Sequence, residues 1–250
     1  YRRFFDINTL AGLRMERPEV FAATHRLVLD LVSQGKVHAL RIDHPDGLYD
    51  PAGYFRAVRE AIAARGGQGD ASLYMVAEKI LIPPEPLPEN WLVAGTTGYE
   101  FANQISGLFA HPEGEEPLSR LSARVAGDPG RFADLLFASK KLVMRTLMSG
   151  ELMVLANLLD RISEADRRTR DHTLHALRDA LMDVVACFPV YRTYVTGTDV
   201  KEQDRRFVNQ AIVQARRRSP AVDASAFQLV RSVLLLEDLE NWPAALRETI

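Results

Sequence analysis

Two hydrophobic periods run along the chain, and the change from one to the other divides it. From Pro18 onward Val20, Phe21, Thr24, Leu27, Val28 and Leu31 recur at three-to-four spacing, which predicts a helix. Pro18 suits its first turn, Glu19 suits the positive end of its dipole, and Gly35 is placed to cap its end. The apolar run Val37 to Ile42 has the length and β-branched content of a buried strand, and it breaks at Pro45 and Gly47. Asp50 as N-cap and Pro51 at the first position open a second helix. Its buried stripe is Phe55, Val58, Ala61 and Ile62, and Gly66-Gly67 stops it. A second strand runs from Ser72 to Glu78. Helix, strand, helix, strand with short links is the signature of a parallel sheet with right-handed crossovers.

The flanks read differently. Tyr1 to Asn8 is an aromatic and basic opening of extended or loop character, and Ile82 to Gly98, rich in Pro and Gly, is an irregular loop. Beyond about Tyr99 strand-like runs vanish. Long amphipathic patterns predict helices near 131–148, 151–165, 171–187, 202–217 and 224–237. Loop signals such as Gly127-Asp-Pro-Gly130, Ser149-Gly150 and Ser219-Pro220 separate them. The predicted fold class is α/β: part of a (β/α)8 TIM barrel over residues 1–105, followed by a mostly α-helical insertion over 106–250.

Composition adds exclusions. With 250 residues, 47% hydrophobic and 26% charged, and a net charge of −2, the chain is ordinary globular material and offers no electrostatic case for a nucleic-acid or anionic-membrane partner. A single cysteine, Cys187, cannot form an internal disulfide, which points to a reducing, cytoplasmic setting. No apolar run approaches the roughly 18–20 residues of a membrane span. The start at Tyr1 and the stop at Ile250 inside a helical pattern lead us to expect a piece of a longer chain.

The candidate chemistry lies at the two strand tips. Asp43 ends the first strand with Arg41 two residues earlier on the same face, and Glu78 ends the second, followed by Lys79. A lone acid at a strand end is more often a helix cap or loop anchor than a catalyst. Two on successive parallel strands, about 4.8 Å apart, can reach the ~5–5.5 Å separation of a retaining glycosidase pair. Arg41 then keeps Asp43 ionised as nucleophile, Glu78 has to carry a proton, and strand alternation turns Lys79 away from Glu78.

These residues also carry a resemblance. Leu40-Arg-Ile-Asp-His44 resembles the strand-four motif of the α-amylase superfamily (glycoside hydrolase family 13), whose Asp is the nucleophile and whose Arg binds it. Val76-Ala-Glu78 resembles the strand-five motif with the general acid/base, and Phe5-Asp-Ile-Asn8 followed by Arg17-Pro-Glu-Val20 resembles a segment upstream of them. Longer stretches are similar to the maltooligosyltrehalose synthase family: Tyr1 to Arg14, Arg41 to Leu48, Glu78-Lys-Ile-Leu81 and Gly95-Thr-Thr-Gly-Tyr99. In the helical part they are Glu151 to Asn157, Arg170-Asp171 and Phe188 to Tyr194. The resemblance implies an isomerase acting on maltooligosaccharides by intramolecular transglycosylation, with Asp43, Glu78 and Arg41 catalytic and no cofactor or metal. It implies substrate-binding walls at His44, Asp46, Lys79 and Tyr99, with Asp6 and Asn8 nearby; Asp46 is as well explained as a turn residue and Tyr99 as a packing aromatic. The superfamily's strand-three and strand-seven motifs, the latter holding a third carboxylate, are absent from these 250 residues. The segment alone is therefore expected to be inactive. The rival readings are another α-amylase-type hydrolase or glucanotransferase and a non-catalytic α-glucan-binding fragment.

The remaining conspicuous residues have plainer expected roles. Cys187 sits in an apolar run and reads as core, His172 and His175 as surface or capping residues, and Arg216-Arg-Arg218 as cations at a helix C-terminus. Asp199, Asp204 and Asp238 read as solvated, while Arg192 with Tyr191 and Tyr194 reads equally as a sugar-cleft wall or as packing.

Overall fold

A computed structural model describes residues 3–4, 7–66, 73–127, 130–195 and 200–247, and it leaves aside the side chains of Arg3, Phe4, Asn8 and Asn241. Packing divides the chain into two compact units, Tyr1–Glu115 and Glu116–Ile250.

In the first unit β1 (Arg3–Phe4) and β2 (Ile7–Ala11) pair antiparallel, giving the opening stretch a hairpin. Helix α1 (Pro18–Ser33) leads to β3 (Ala39–Ile42), α2 (Pro51–Ala63) to β4 (Tyr74–Ala77), and a short β5 (Gly95–Thr96) completes a parallel sheet of order β3-β4-β5. The predicted strand–helix–strand crossover is present. The stretch read as an irregular loop contains β5 and a 3-10 turn at Glu89–Trp91.

Local signals explain the boundaries. Gly35, at φ +66, closes α1: its N–H bonds to the Val32 carbonyl and that of Lys36 to the Leu31 carbonyl, the paired closure that a left-handed residue allows. The Asp50 carboxylate accepts the Gly53 N–H at 2.9 Å and starts α2. The core of the unit is Leu29, Val32, Phe55, Val58, Ile62, Leu73, Met75, Ala77 and Trp91, with Phe55 and Trp91 rings 5.4 Å apart.

Two expectations need correction. The buried face of α1 runs through Phe21, His25, Leu29 and Val32, while Leu27 is 69% exposed and Thr24 and Val28 also face outward. His25, polar in the pattern, sits inward because it stacks on Phe21 and bonds to the Tyr54 hydroxyl at 2.8 Å. Strand β3 is not buried: Ala39 and Arg41 are exposed and Leu40 and Ile42 half-buried, because among the described residues β3 is a sheet edge covered on one face only.

In the second unit α5 (Phe132–Thr146), α6 (Ser149–Ala165), α7 (Leu174–Ala186), α8 (Glu202–Arg218) and α9 (Ala224–Leu234) match the five predicted helices. They enclose one apolar core with α7 at its centre, including Leu177, Ala180, Val184, Val208, Ala211, Phe227 and Val230. Lys141 reaches into it to pair with the buried Asp183. Arg218, expected only to meet a helix dipole, bonds to Asp134 at 2.8 Å and lies over the Phe137 ring, joining the end of α8 to α5. Two helices that pattern reading left unassigned, α3 (Tyr99–Leu108) and α4 (Glu115–Ala126), bury no residue; the spacing of Leu118, Leu121 and Val125 is the signal for α4. A short α10 (Ala244–Arg247) follows.

Candidate active site

The strand register places the two acids. Cα partners run Ala39↔Tyr74 to Ile42↔Ala77, and the Glu78 N–H bonds to the Ile42 carbonyl at 2.7 Å, closing the last pair of the ladder. Asp43 and Glu78 follow directly at the two strand ends, where the register extended by one residue sets them opposite each other. Strand alternation turns both to the face carrying Arg41 and Val76, away from the helices. On that face Arg41 Nε bonds to Asp43 Oδ1 at 2.7 Å, with the two side chains 61% and 68% exposed.

Just after the tip the backbone turns sharply. His44 adopts a left-handed conformation, φ 49 and ψ 43, and the 3-10 turn Pro45–Gly47 follows. This turn aims the His44 N–H at Glu78 Oε2, 2.9 Å away. The main chain beside one acid thereby holds one oxygen of the other as an acceptor. The His44 ring lies over Gly47, where a Cβ would come within 2.5 Å of it, so only glycine leaves room for the ring. His44 Nδ1 stands 3.2 Å from Asp46 Oδ1.

Lys79 occupies the opposite face. Its side chain is 0% exposed and its Nζ lies 2.8 Å from Glu85 Oε1 and 3.9 Å from Asp46 Oδ2. It therefore lies away from the open face that carries Arg41 and Asp43; a buried ammonium turns to carboxylates. Glu85 went unnoticed in the sequence, where the usable signal was the need of a buried lysine for an acid within reach. Asp46 is buried too, and burial pushes its carboxyl up against the opposing pull of Lys79 and His44. That burial places Asp46 with the turn rather than on the open face. Tyr99 is exposed at the first position of α3, Asn8 belongs to β2, and Asp6 lies outside the described residues.

Other features lie apart from this face. A cavity of about 290 Å³ beside Tyr49, Asp50 and Tyr54 is lined also by Phe21 of α1. One of similar volume in the second unit is lined by Ile162, Leu229 and Trp242 with His172, Ser225 and Asp238. There His172 bonds to Ser225 at 2.8 Å and to the Thr169 carbonyl, tying the turn after α6 to α9. Arg192 stacks over Tyr194 at 5.1 Å, Cys187 is half-buried with burial pushing its thiol up, and Asp199 lies outside the described residues. Among the described residues no three His, Cys, Asp or Glu side chains gather as a metal site, and no single helix is long and apolar enough to cross a membrane.

Acids at the C-terminal tips of neighbouring parallel strands, with helices behind, are the layout of α/β enzymes that work at a strand rim. Known proteins similar to this chain are trehalose-forming synthases. The chain is 34% identical to the maltooligosyltrehalose synthase of Arthrobacter ramosus, superposing over 99% of its length with a TM-score of 0.77, and 29% identical to a glycosyltrehalose synthase with a TM-score of 0.67 over 94%. It is 40% identical over 139 residues, 54% of the chain, to a Mycobacterium tuberculosis protein named as a maltooligosyl trehalose synthase. No family model matches. The chain is thus related to a segment of the maltooligosyltrehalose synthases, spanning 29% of the Arthrobacter enzyme and 17% of the mycobacterial protein.

Proposed function

We propose that this chain supplies the nucleophile and the acid/base of a trehalose-forming glucan isomerase of the glycoside hydrolase family 13 type, and that β3, β4 and β5 are neighbouring strands of its barrel. The observation that carries the reading is that Asp43 and Glu78 directly follow the last paired residues of two neighbouring parallel strands, one bonded to Arg41 and the other to the His44 N–H. The names of the relatives support the substrate class, a maltooligosaccharide. The sole cysteine supports a reducing, cytoplasmic setting.

In this reading Asp43 Oδ2, the oxygen opposite the one bonded to Arg41, attacks the anomeric carbon of the second glucose from the reducing end. Glu78, its Oε2 held by His44, delivers a proton from Oε1 to the O4 of the departing terminal glucose. The glycosidic C–O bond breaks and a glycosyl ester forms on Asp43. The freed glucose turns in place and gives the proton of its anomeric hydroxyl to Glu78; its O1 then displaces Asp43, closing an α,α-1,1 bond. Two inversions retain the α configuration. Isomerisation outruns hydrolysis as far as water is kept from the ester.

The test uses the complete polypeptide that carries these residues, incubated with maltopentaose. Reducing ends should disappear without release of glucose, and Glu78→Gln should slow the reaction roughly a hundredfold to ten-thousandfold, with Asp43→Asn at least as damaging. A rise in reducing ends points instead to a hydrolase, and unchanged rates in both variants remove the two acids from the chemistry.

A further inference from the structure

Resting on that reading, we propose that Lys79, Glu85 and Asp46 are positioning residues: a buried relay that sets the orientation of Glu78 through His44, without touching substrate. The contacts form a chain whose longest step, from Lys79 Nζ to Asp46 Oδ2, is an ion-pair distance of 3.9 Å. Glu85 is anchored first, its Oε2 accepting the Ile82 N–H at 3.2 Å while its own N–H bonds to the Ile82 carbonyl at 2.8 Å. Its other oxygen holds Lys79 Nζ at 2.8 Å, and that ammonium stands 3.9 Å from Asp46 Oδ2. Asp46 Oδ1 faces His44 Nδ1 at 3.2 Å, and the His44 N–H reaches Glu78 Oε2 at 2.9 Å.

Two features mark this as more than packing. A fully buried ammonium is a poor way to stabilise a fold, since an apolar side chain of similar size commonly serves as well; buried ion groups are best attested where they fix one arrangement against others. The arrangement fixed here is one histidine avoids, a left-handed backbone at φ 49, with Gly47 leaving the space its ring occupies. Released from Asp46, His44 can relax toward an ordinary conformation, and its N–H then turns away from Glu78. Glu78 Oε2 loses its fixed donor, and Oε1 is no longer presented in one direction to the glycosidic oxygen. Lys79 directly follows Glu78, so the covalent chain couples the two faces of β4 at the point where chemistry is proposed.

The experiment uses the complete polypeptide with maltopentaose and two variants. Lys79→Met with Glu85→Leu removes the whole ion pair and leaves an apolar site that can fold; Asp46→Ala leaves the pair and removes the side chain that faces His44. Each should keep its KM within about twofold, lose roughly tenfold to a hundredfold in kcat, and shift the limb of the pH–rate profile that reports the acid/base, with a thermal midpoint near wild type. A wild type that forms no trehalose-ended product overturns the functional reading, and the relay with it. A wild type that does, beside variants with unaltered kcat and pH profile, overturns the relay alone.

Discussion

His25 shows how one side chain re-sorts a helix. Burial holds its imidazole below the usual range, with the Phe21 carbonyl pulling the other way, and burial pushes the Tyr54 phenol up to about 12. The Phe21 carbonyl accepts a hydrogen bond from Nδ1–H, so Tyr54 donates to Nε2 and the ring is neutral when the pair is satisfied. A histidine with a depressed folded pKa contributes stability that is present above its unfolded value near 6.5 and lost as pH falls through the folded one. Urea midpoints at pH 7.5 and pH 5 should therefore fall for the wild type, and fall less for His25→Phe. Equal falls in the two proteins would remove His25 from the acid response.

At the scale of the element, caps decide more than propensity does. Gly53 lies in the first turn of α2, and a Cβ there would stand 2.2 Å from Asp50 Oδ2, the oxygen beside the one accepting the Gly53 N–H. Gly150 lies in the first turn of α6 with nothing within 4 Å of its Cβ position. Alanine at each carries the same helix propensity gain of up to about 1 kcal/mol. We expect Gly150→Ala to stabilise by part of that, and Gly53→Ala to destabilise by about 1 kcal/mol as the cap is displaced. Chemical denaturation of both variants checks the contrast; a gain at Gly53 would mean that the cap contributes little. Such caps were legible beforehand: Asp50-Pro51 and Gly35 lie where side-chain chemistry and backbone sterics make few other choices available. The inward turn of His25 was not, because it is inward only once Phe21 and Tyr54 face it.

At the scale of the whole molecule burial is uneven. Helices α5 to α9 share a closed core around α7, whereas α3 and α4 bury nothing and Phe109 is 86% exposed, with Leu108, Val125 and Phe132 also open. Apolar surface of this extent, together with the edge of β3, associates in water. We expect residues 1–250, produced alone, to self-associate at micromolar concentration, and replacing Leu108, Phe109 and Val125 by Glu to reduce it. Light scattering across a dilution series decides; a dilute monomer that stays monomeric on concentration would show that these side chains find cover within the chain.

What could be read from the residues alone was whatever depends on neighbours in sequence: the helix periods, the caps, the parallel strand–helix–strand unit, and Asp43 and Glu78 at strand tips with Arg41 two positions back. Those follow from backbone sterics and from side-chain alternation, which act over a few residues. Folding in three dimensions decided the rest: which face each acid takes, the left-handed His44 that ties them, and the choice of Glu85 as partner for Lys79. Distances between side chains far apart in the chain exist only after the sheet has set its register, and a buried charge selects its partner by what stands within reach.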